Sequence, residues 1–310
     1  MNVPLEHCPC PICGEDQPLP WRKFRVVRRR RMLQRLGYEG DSFDYVRCGV
    51  CGHHYMNPMP TEEFLSEYYG GDYFSEDDQA GHNQNLELTI MDRFYFRSCR
   101  HLPPATSEQK LLEIGPGTGS YMVWAKERGY QVMGYDLASV DMHPSLNPNE
   151  MTVGTLDECS FPNDSFDVIV SHWVFEHMRS TLDVMKKING WLKPGGRLVI
   201  SVPNSKCFDA RLFGDYWHHA VVPDHLSQFS MKSLDTMMAL QGLNIIQRQH
   251  DLLSFDFSMS LGGLISEKTG MNNPMQSLPF RLLSLPFGPL KSFLSHSGNI
   301  TVTAEKPAKG

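Results

Sequence analysis

Three groups of residues in this 310-residue chain combine types and spacings that can do chemistry. The first is a pair of cysteine knuckles, Cys10-x-x-Cys13 and Cys48-x-x-Cys51, each followed by glycine. Each knuckle aims two thiolates at one point, two knuckles complete a tetrahedral site, and an all-sulfur donor set selects zinc. Four thiolates leave no open coordination position, so such a zinc is structural and not a Lewis acid. Cys8 is an alternative to Cys10 as a ligand, and His53 and His54 are weaker ones. The second group is "LLEIGPGTGSYM", Leu111 to Met122, where Gly115, Gly117 and Gly119 let a strand turn sharply into a helix while its backbone approaches a ligand. Asp136 follows at the end of the next strand, where an acid can hold ribose hydroxyls. The third is "YWHHAVVPDHLSQFS", with His218, His219, Asp224 and His225. A carboxylate beside an imidazole can raise its basicity and fix its tautomer, which makes His225 the candidate general base with Asp224 as its partner or as a second base. A metal site built from His218, His219 and Asp224 is the weaker reading of this stretch.

These groups need elements to hold them. From residue 110 the pattern alternates: "KLLEIG" reads as a strand, "GSYMVWAKERG" as a helix, "YQVMGYD" as a strand, "FDVIVS" as a buried strand, "TLDVMKKINGWL" as a helix and "GGRLVISV" as a strand. Such alternation predicts an α/β fold with a doubly wound, mostly parallel sheet. Ser230 is expected to cap a helix ending at Gly242, "LNIIQRQ" to be a strand, and "GNITVTAEKP" to be a final edge strand. Upstream, Thr61 reads as a helix cap with Glu62 and Glu63 in the first turn. The expected organisation is an N-terminal ribbon and Tyr-rich connector over residues 1–80, a bridging helix and linker over 81–106, and a main domain over 107–310 with insertions at 203–229 and 252–297.

The run "EIGPGTG", the acid Asp136 and the "LKPGG" turn agree in order and spacing, and here the chain resembles the class I S-adenosylmethionine-dependent methyltransferases. The resemblance covers residues 110–250 and the last strand. It implies a Rossmann-like sheet of the class I type, with Glu113, Gly115, Gly117 and Gly119 lining the methionine and ribose portion of S-adenosylmethionine and Asp136 accepting the ribose hydroxyls. Thr155, Leu156 and Asp157 fall where the family brackets adenine, and Ser171, His172 and Trp173 fall beside the sulfonium. The N-terminal part, "RCGVCGHHYMNPMPTEEFLSEYYGGDYF", resembles the zinc ribbon of bacterial methyltransferases acting on sugars or cell-surface glycans, and Asp224-His225 stands where those sugar enzymes carry an acid-His pair. This implies a sugar or glycan precursor as acceptor. Tyr69 and Tyr73 are then candidates for one wall of its pocket.

Composition narrows the alternatives. No apolar run reaches the ~18 residues of a membrane span, and the N-terminus has no secretory pattern, so a cytoplasmic protein is expected. Residues 1–60 carry nine Lys or Arg against six Asp or Glu, a local +3, which leaves −9 on the remainder of a chain of net charge −6. An acidic body disfavours the runner-up reading, a zinc-ribbon RNA methyltransferase, and the run Arg28–Arg31 is expected to be a solvated face and not a phosphate contact. A non-catalytic cofactor-binding protein is a third reading, opposed by the intact glycines and acids. The segment 252–297 is expected to be a packed subdomain, with a surface for lipid-linked acceptors as the lesser alternative.

Overall fold

The structure is a computed structural model, and it describes residues 1–70, 96, 102–137, 142–156, 158–251, 256–270 and 297–308. The N-terminal part runs β1 (Leu5–Glu6), β2 (Pro18–Arg25), α1 (Arg30–Arg35), β3 (Ser42–Cys48), β4 (His54–Met56), β5 (Met59–Pro60) and α2 (Glu62–Tyr69). Thr61 caps α2 as expected, its hydroxyl accepting from the Phe64 N–H, and Phe64, Leu65 and Tyr68 form the buried face. The expected bridging helix falls outside the described residues apart from Phe96.

The main domain follows with β6 (Lys110–Ile114), α3 (Ser120–Glu127), β7 (Gln131–Asp136), β8 (Met151–Val153), β9 (Phe166–His172), α4 (Thr181–Trp191), β10 (Leu192–Pro203), α5 (Phe208–Phe213), β11 (Ser227–Gln228), α6 (Met231–Leu240), β12 (Asn244–His250), α7 (Asp256–Thr269) and β13 (Asn299–Glu305). Seven strands form one sheet in the order β12-β13-β10-β9-β6-β7-β8. The five from β10 to β8 are parallel, and β13 is antiparallel to both of its neighbours. Strands β6 and β9 are buried along nearly their whole length, as the inner strands of a parallel sheet covered on both faces must be. Chain order reverses between β6 and β9, and at such a switch point the carboxyl ends of the strands open a crevice for ligands.

The last strand corrects its sequence reading. Period-2 alternation suggests an edge, yet β13 lies between β10 and β12, with Ile300, Val302 and Ala304 fully buried. β12, exposed along much of its length, is the edge. The insertion at 203–229 also does more than loop over the sheet. Its β11 pairs with β4, Ser227 opposite Tyr55 and Gln228 opposite His54, and completes the four-stranded sheet β11-β4-β3-β2. One hydrophobic cluster runs from Val3 and Tyr55 through Trp217 and Phe229 to Ile200 and Ile300, so the N-terminal sheet shares its core with the main domain. Among the described residues no helix is long and apolar enough to cross a membrane.

Candidate functional site

The glycine turn leaves β6 at Ile114, and all three of its glycines have left-handed backbones, with φ of 69°, 54° and 82° for Gly115, Gly117 and Gly119. At Gly115 an added Cβ would stand 2.3 Å from Val174 Cγ2, so glycine is required there by space as well as by φ. Gly117 faces open space, and its N–H donates to Asp136 Oδ2 at 3.0 Å. The turn and the acid at the end of β7 are therefore already joined across the crevice. A loop with bare backbone beside a buried carboxylate fits the ribose and methionine portion of S-adenosylmethionine.

The neighbouring candidates line the same edge of the sheet. Glu113 is buried in β6, in register with Gly134 and Val170. Thr155 follows β8, its N–H and hydroxyl both donating to Glu158 and its carbonyl accepting from Tyr135. The Leu156 carbonyl accepts from Lys187, and Asp157 lies outside the described residues. At the end of β9 the Ser171 hydroxyl donates to the Ile114 carbonyl, and His172 Nδ1 sits 3.0 Å from the Ser201 hydroxyl with its ring edge-on to Tyr121. Trp173 has a left-handed φ of 57°, which is uncommon for a bulky residue, and its indole N–H is held by Asn299 Oδ1 at 2.9 Å. Such conformations persist where surrounding structure fixes them and concentrate at functional sites.

Beside this crevice the N-terminal part and the insertion meet in a buried polar group. Asp224 accepts from Arg29 Nε at 2.8 Å and from the Tyr68 hydroxyl, and its backbone carbonyl lies 3.4 Å from the Tyr69 hydroxyl. The Asp224 side chain is 1% exposed and that of Arg29 12%. Arg28 and Arg29 thus turn inward, which corrects the expectation of a solvated face; only Arg30, beside Asp41, and Arg31 lie on the outside. Charge runs usually face water, and the sequence gives no local sign that this one meets a buried carboxylate 195 residues away.

His225 packs edge-on against His177, ring centroids 4.7 Å apart, and stacks with His219 at 6.1 Å. The Tyr45 hydroxyl donates to its backbone carbonyl. Burial, then the neighbouring imidazoles, holds His225 well below the usual histidine range. Burial takes His177 down to about 4 and pushes Glu176 up to about 8, so at neutral pH both rings are neutral and Glu176 is protonated. Tyr69, 3.2 Å from His177 Nδ1, is held well above its ordinary value by burial. Glu176, His177 and His225 each bring one polar atom within 4.8 Å of the others, a spacing at which a cation could be held. His219 pairs with Asp256 of α7 at 3.2 Å, which takes it away from the grouping with Asp224 that the sequence suggested. Arg29, Tyr68 and Asp256 escape a reading by motif, because each reaches this site from a separate element. Tyr73 lies outside the described residues.

The four knuckle cysteines converge. Sγ of Cys10 and Cys51 are 3.6 Å apart, those of Cys13 and Cys48 are 3.7 Å apart, and all four fall within 4.8 Å of one another. A tetrahedral zinc with metal–sulfur distances of ~2.3 Å sets its sulfurs about 3.8 Å apart, so the donor set fits. The tight turns are closed by Gly14 and Gly52, whose N–H groups donate to the carbonyls of Cys10 and Cys48. Cys8 stands outside the cluster, against the Arg179 guanidinium at 3.3 Å. His53 bonds Ser227 and Ser233, and His54 stacks on Trp21, so both are structural residues of the ribbon.

Comparison with known proteins agrees with this geometry. The model of a family described as "Methyltransferase domain" matches residues 88–248. Among curated proteins, 2-methyl-6-phytyl-1,4-hydroquinone methyltransferase of Synechocystis sp. is 29% identical over 187 residues, 55% of this chain and 56% of that protein. C-methyltransferase NovU of Streptomyces niveus is 23% identical over 250 residues, 76% of this chain and 56% of that protein. Among solved structures, Haemonchus contortus phosphoethanolamine N-methyltransferase 2 in complex with S-adenosyl-L-methionine superimposes with a TM-score of 0.52 at 18% identity, over 94% of this chain and 68% of that one, a likeness of fold. The aligned stretches span about half the length of these two curated relatives.

Proposed function

The chain belongs to the S-adenosylmethionine-dependent methyltransferases, and we propose that it methylates a hydroxylated small molecule, a sugar or surface-glycan precursor, with His225 as the general base. The observation that carries this reading is the buried junction of Arg29, Tyr68 and Tyr69 with Asp224, His225 and His177, set beside the crevice at the end of β9. When bound, S-adenosylmethionine supplies an electrophilic methyl group for in-line displacement. Gly115, Gly117 and Asp136 would hold its ribose and methionine portion, and Thr155 and Leu156 stand where adenine would be bracketed. The residues left to this chain are those that orient the acceptor, exclude water and remove one proton.

His225 would take that proton through a neutral imidazole, and because burial holds it well below the usual histidine range while the Asp224 carboxylate is engaged elsewhere, it gains no basicity from Asp224, contrary to the expectation from sequence. The Asp224 carboxylate, engaged by Arg29 and Tyr68, would act on His225 by fixing the backbone and ring position. The four-thiolate cluster is assigned to structural zinc, which would pin the two ends of the ribbon whose sheet ends in β11, two residues from His225. The inward arginines remove much of the basic surface that an RNA acceptor would need.

Release of S-adenosylhomocysteine from S-adenosylmethionine, measured across free and nucleotide-linked sugars and a quinol, tests this reading. Turnover with a hydroxylated member, lost in His225→Gln at unchanged cofactor affinity, supports it. Turnover only with a quinol, or equal turnover in His225→Gln, refutes the acceptor or the base respectively.

A further inference from the structure

Among the described residues, Arg28 is a buried cation without a direct partner. Its guanidinium Nε and Nη2 are buried and have no hydrogen-bond partner, and among the described residues it makes no ion pair. Burial brings it down to about 10, with the adjacent charge of Arg29 acting the same way and the Asp256 carboxylate, near but not hydrogen-bonded to it, acting against both. A charged group taken out of water without a partner costs several kcal/mol, so its retention asks for a compensating ligand.

The surroundings are polar on the side where a core would be apolar. Arg28 meets α7 at Gly263, where an added Cβ would come within 3.3 Å of Nη2. Asp256, Ser260 and Gly263 share one face of that helix, and Asp256, Ser258, Ser260 and Gly262 are its buried residues. Phe257, Met259 and Leu261 are only partly buried, the reverse of the usual helix pattern. His218 approaches the same place: its backbone N–H donates to the Ser260 hydroxyl at 2.8 Å, and its Nδ1 is buried with no partner. His219, paired with Asp256, lies between this polar cluster and His225, its ring 4.9 Å from that of His218 and 6.1 Å from that of His225.

We propose that Arg28, with His218 beside it, is the anion-reading residue of the acceptor site, and that the acceptor carries an oxyanion, a carboxylate or a phosphate, as well as the hydroxyl to be methylated. The planar fork of arginine binds such groups through two parallel N–H bonds, which a lysine cannot match. Position and charge together would then orient the acceptor: Arg28 holds the anion and His225 faces the reacting hydroxyl. This assignment rests on the acceptor cleft proposed above.

The test follows Tm and S-adenosylmethionine affinity of the zinc-loaded full chain in chloride, inorganic phosphate and acetate at matched ionic strength, for wild type, Arg28→Met and Arg28→Lys. The expected result is a saturable rise in wild-type Tm with phosphate or acetate over chloride, the effective anion identifying the acceptor's group. Arg28→Met should abolish that rise, keep cofactor affinity and be no less stable than wild type in chloride. Arg28→Lys should retain part of the rise. A wild type that responds to neither anion, an equal response in Arg28→Met, or a marked loss of stability in Arg28→Met without anion each overturns the assignment. Those outcomes leave methyl transfer standing as long as S-adenosylmethionine binds; absence of cofactor binding in wild type would strike the functional reading instead.

Discussion

Replacing Arg29 with methionine should reveal how firmly the N-terminal part is locked onto the acceptor side of the main domain. Arg29 Nε lies 2.8 Å from Asp224 Oδ2, with the carboxylate side chain 1% exposed and the guanidinium side chain 12% exposed. Methionine keeps the length and apolar stem of the side chain but strips the buried carboxylate of its cation. Breaking a buried pair from one side costs about 3–5 kcal/mol, because the remaining charge stays out of water. The unfolding entropy of ~2.1 cal/mol/K per residue gives a chain of this length about 0.65 kcal/mol/K, so Tm should fall by about 5–8 °C. Scanning calorimetry reads that shift, and S-adenosylmethionine titration run alongside should show cofactor affinity within about twofold of wild type, a difference below 0.5 kcal/mol. The double variant Arg29→Met with Asp224→Leu removes both charges and should regain most of the loss, since a buried pair exchanged for apolar groups is often neutral or stabilising. A drop of less than about 2 °C in the single variant, which corresponds to roughly 1 kcal/mol, would show the pair to be in contact with water and would remove the docking argument.

Other expectations follow from the same geometry. Gly115→Ala forces a Cβ to 2.3 Å from Val174 at a φ of 69°, and should lower both cofactor affinity and Tm; a variant with wild-type values for both would count against the turn. Asp136→Ala loses the proposed ribose acceptor and the bond from Gly117, and should weaken cofactor binding by about 10-fold or more, at about 1.5–3 kcal/mol for a charge-assisted bond. Cys48→Ser should release zinc, read by a colorimetric chelator, and loosen the N-terminal sheet; full retention of metal would refute the four-thiolate site. His177 sits at about 4 in the folded chain and near 6.5 unfolded, so the unfolded state binds more protons between those values and stability falls as pH drops through them. The stability difference between wild type and His177→Gln should therefore shift against wild type by up to about 1.4 kcal/mol per pH unit from 6.5 toward 4. A difference flat with pH would mean that His177 is solvated.

The cofactor half of the protein is legible in the chain because its signals are local. "KLLEI" and "FDVIVS" are short, largely apolar runs, three glycines mark the turn, and Asp136 closes the next strand, so strand, turn and acid can be placed without long-range information. The cysteine cluster is legible for the same reason, since each knuckle and its glycine fall within five residues. The acceptor side is different. Arg29 meets Asp224 across 195 residues and β11 pairs with β4, and nothing in either segment alone announces its partner. The arginine run looked like a water-facing face, and β13 looked like an edge, because charge and period-2 alternation speak for a lone element and not for what tertiary packing lays against it. Arg28 and the polar buried face of α7 show only in three dimensions, as groups whose local composition contradicts where they lie.

Titration of the zinc-loaded protein with S-adenosylmethionine and S-adenosylhomocysteine, against NADH and against the Asp136→Ala variant, tests the cofactor crevice most directly. The geometry at Gly117 and Asp136 predicts saturable one-to-one binding of both adenosyl compounds, little heat with NADH, and at least a tenfold loss in Asp136→Ala, the equivalent of about 1.4 kcal/mol. NADH binding as tight as either adenosyl compound, or equal affinity in the variant, would contradict the placement of the cofactor at this turn.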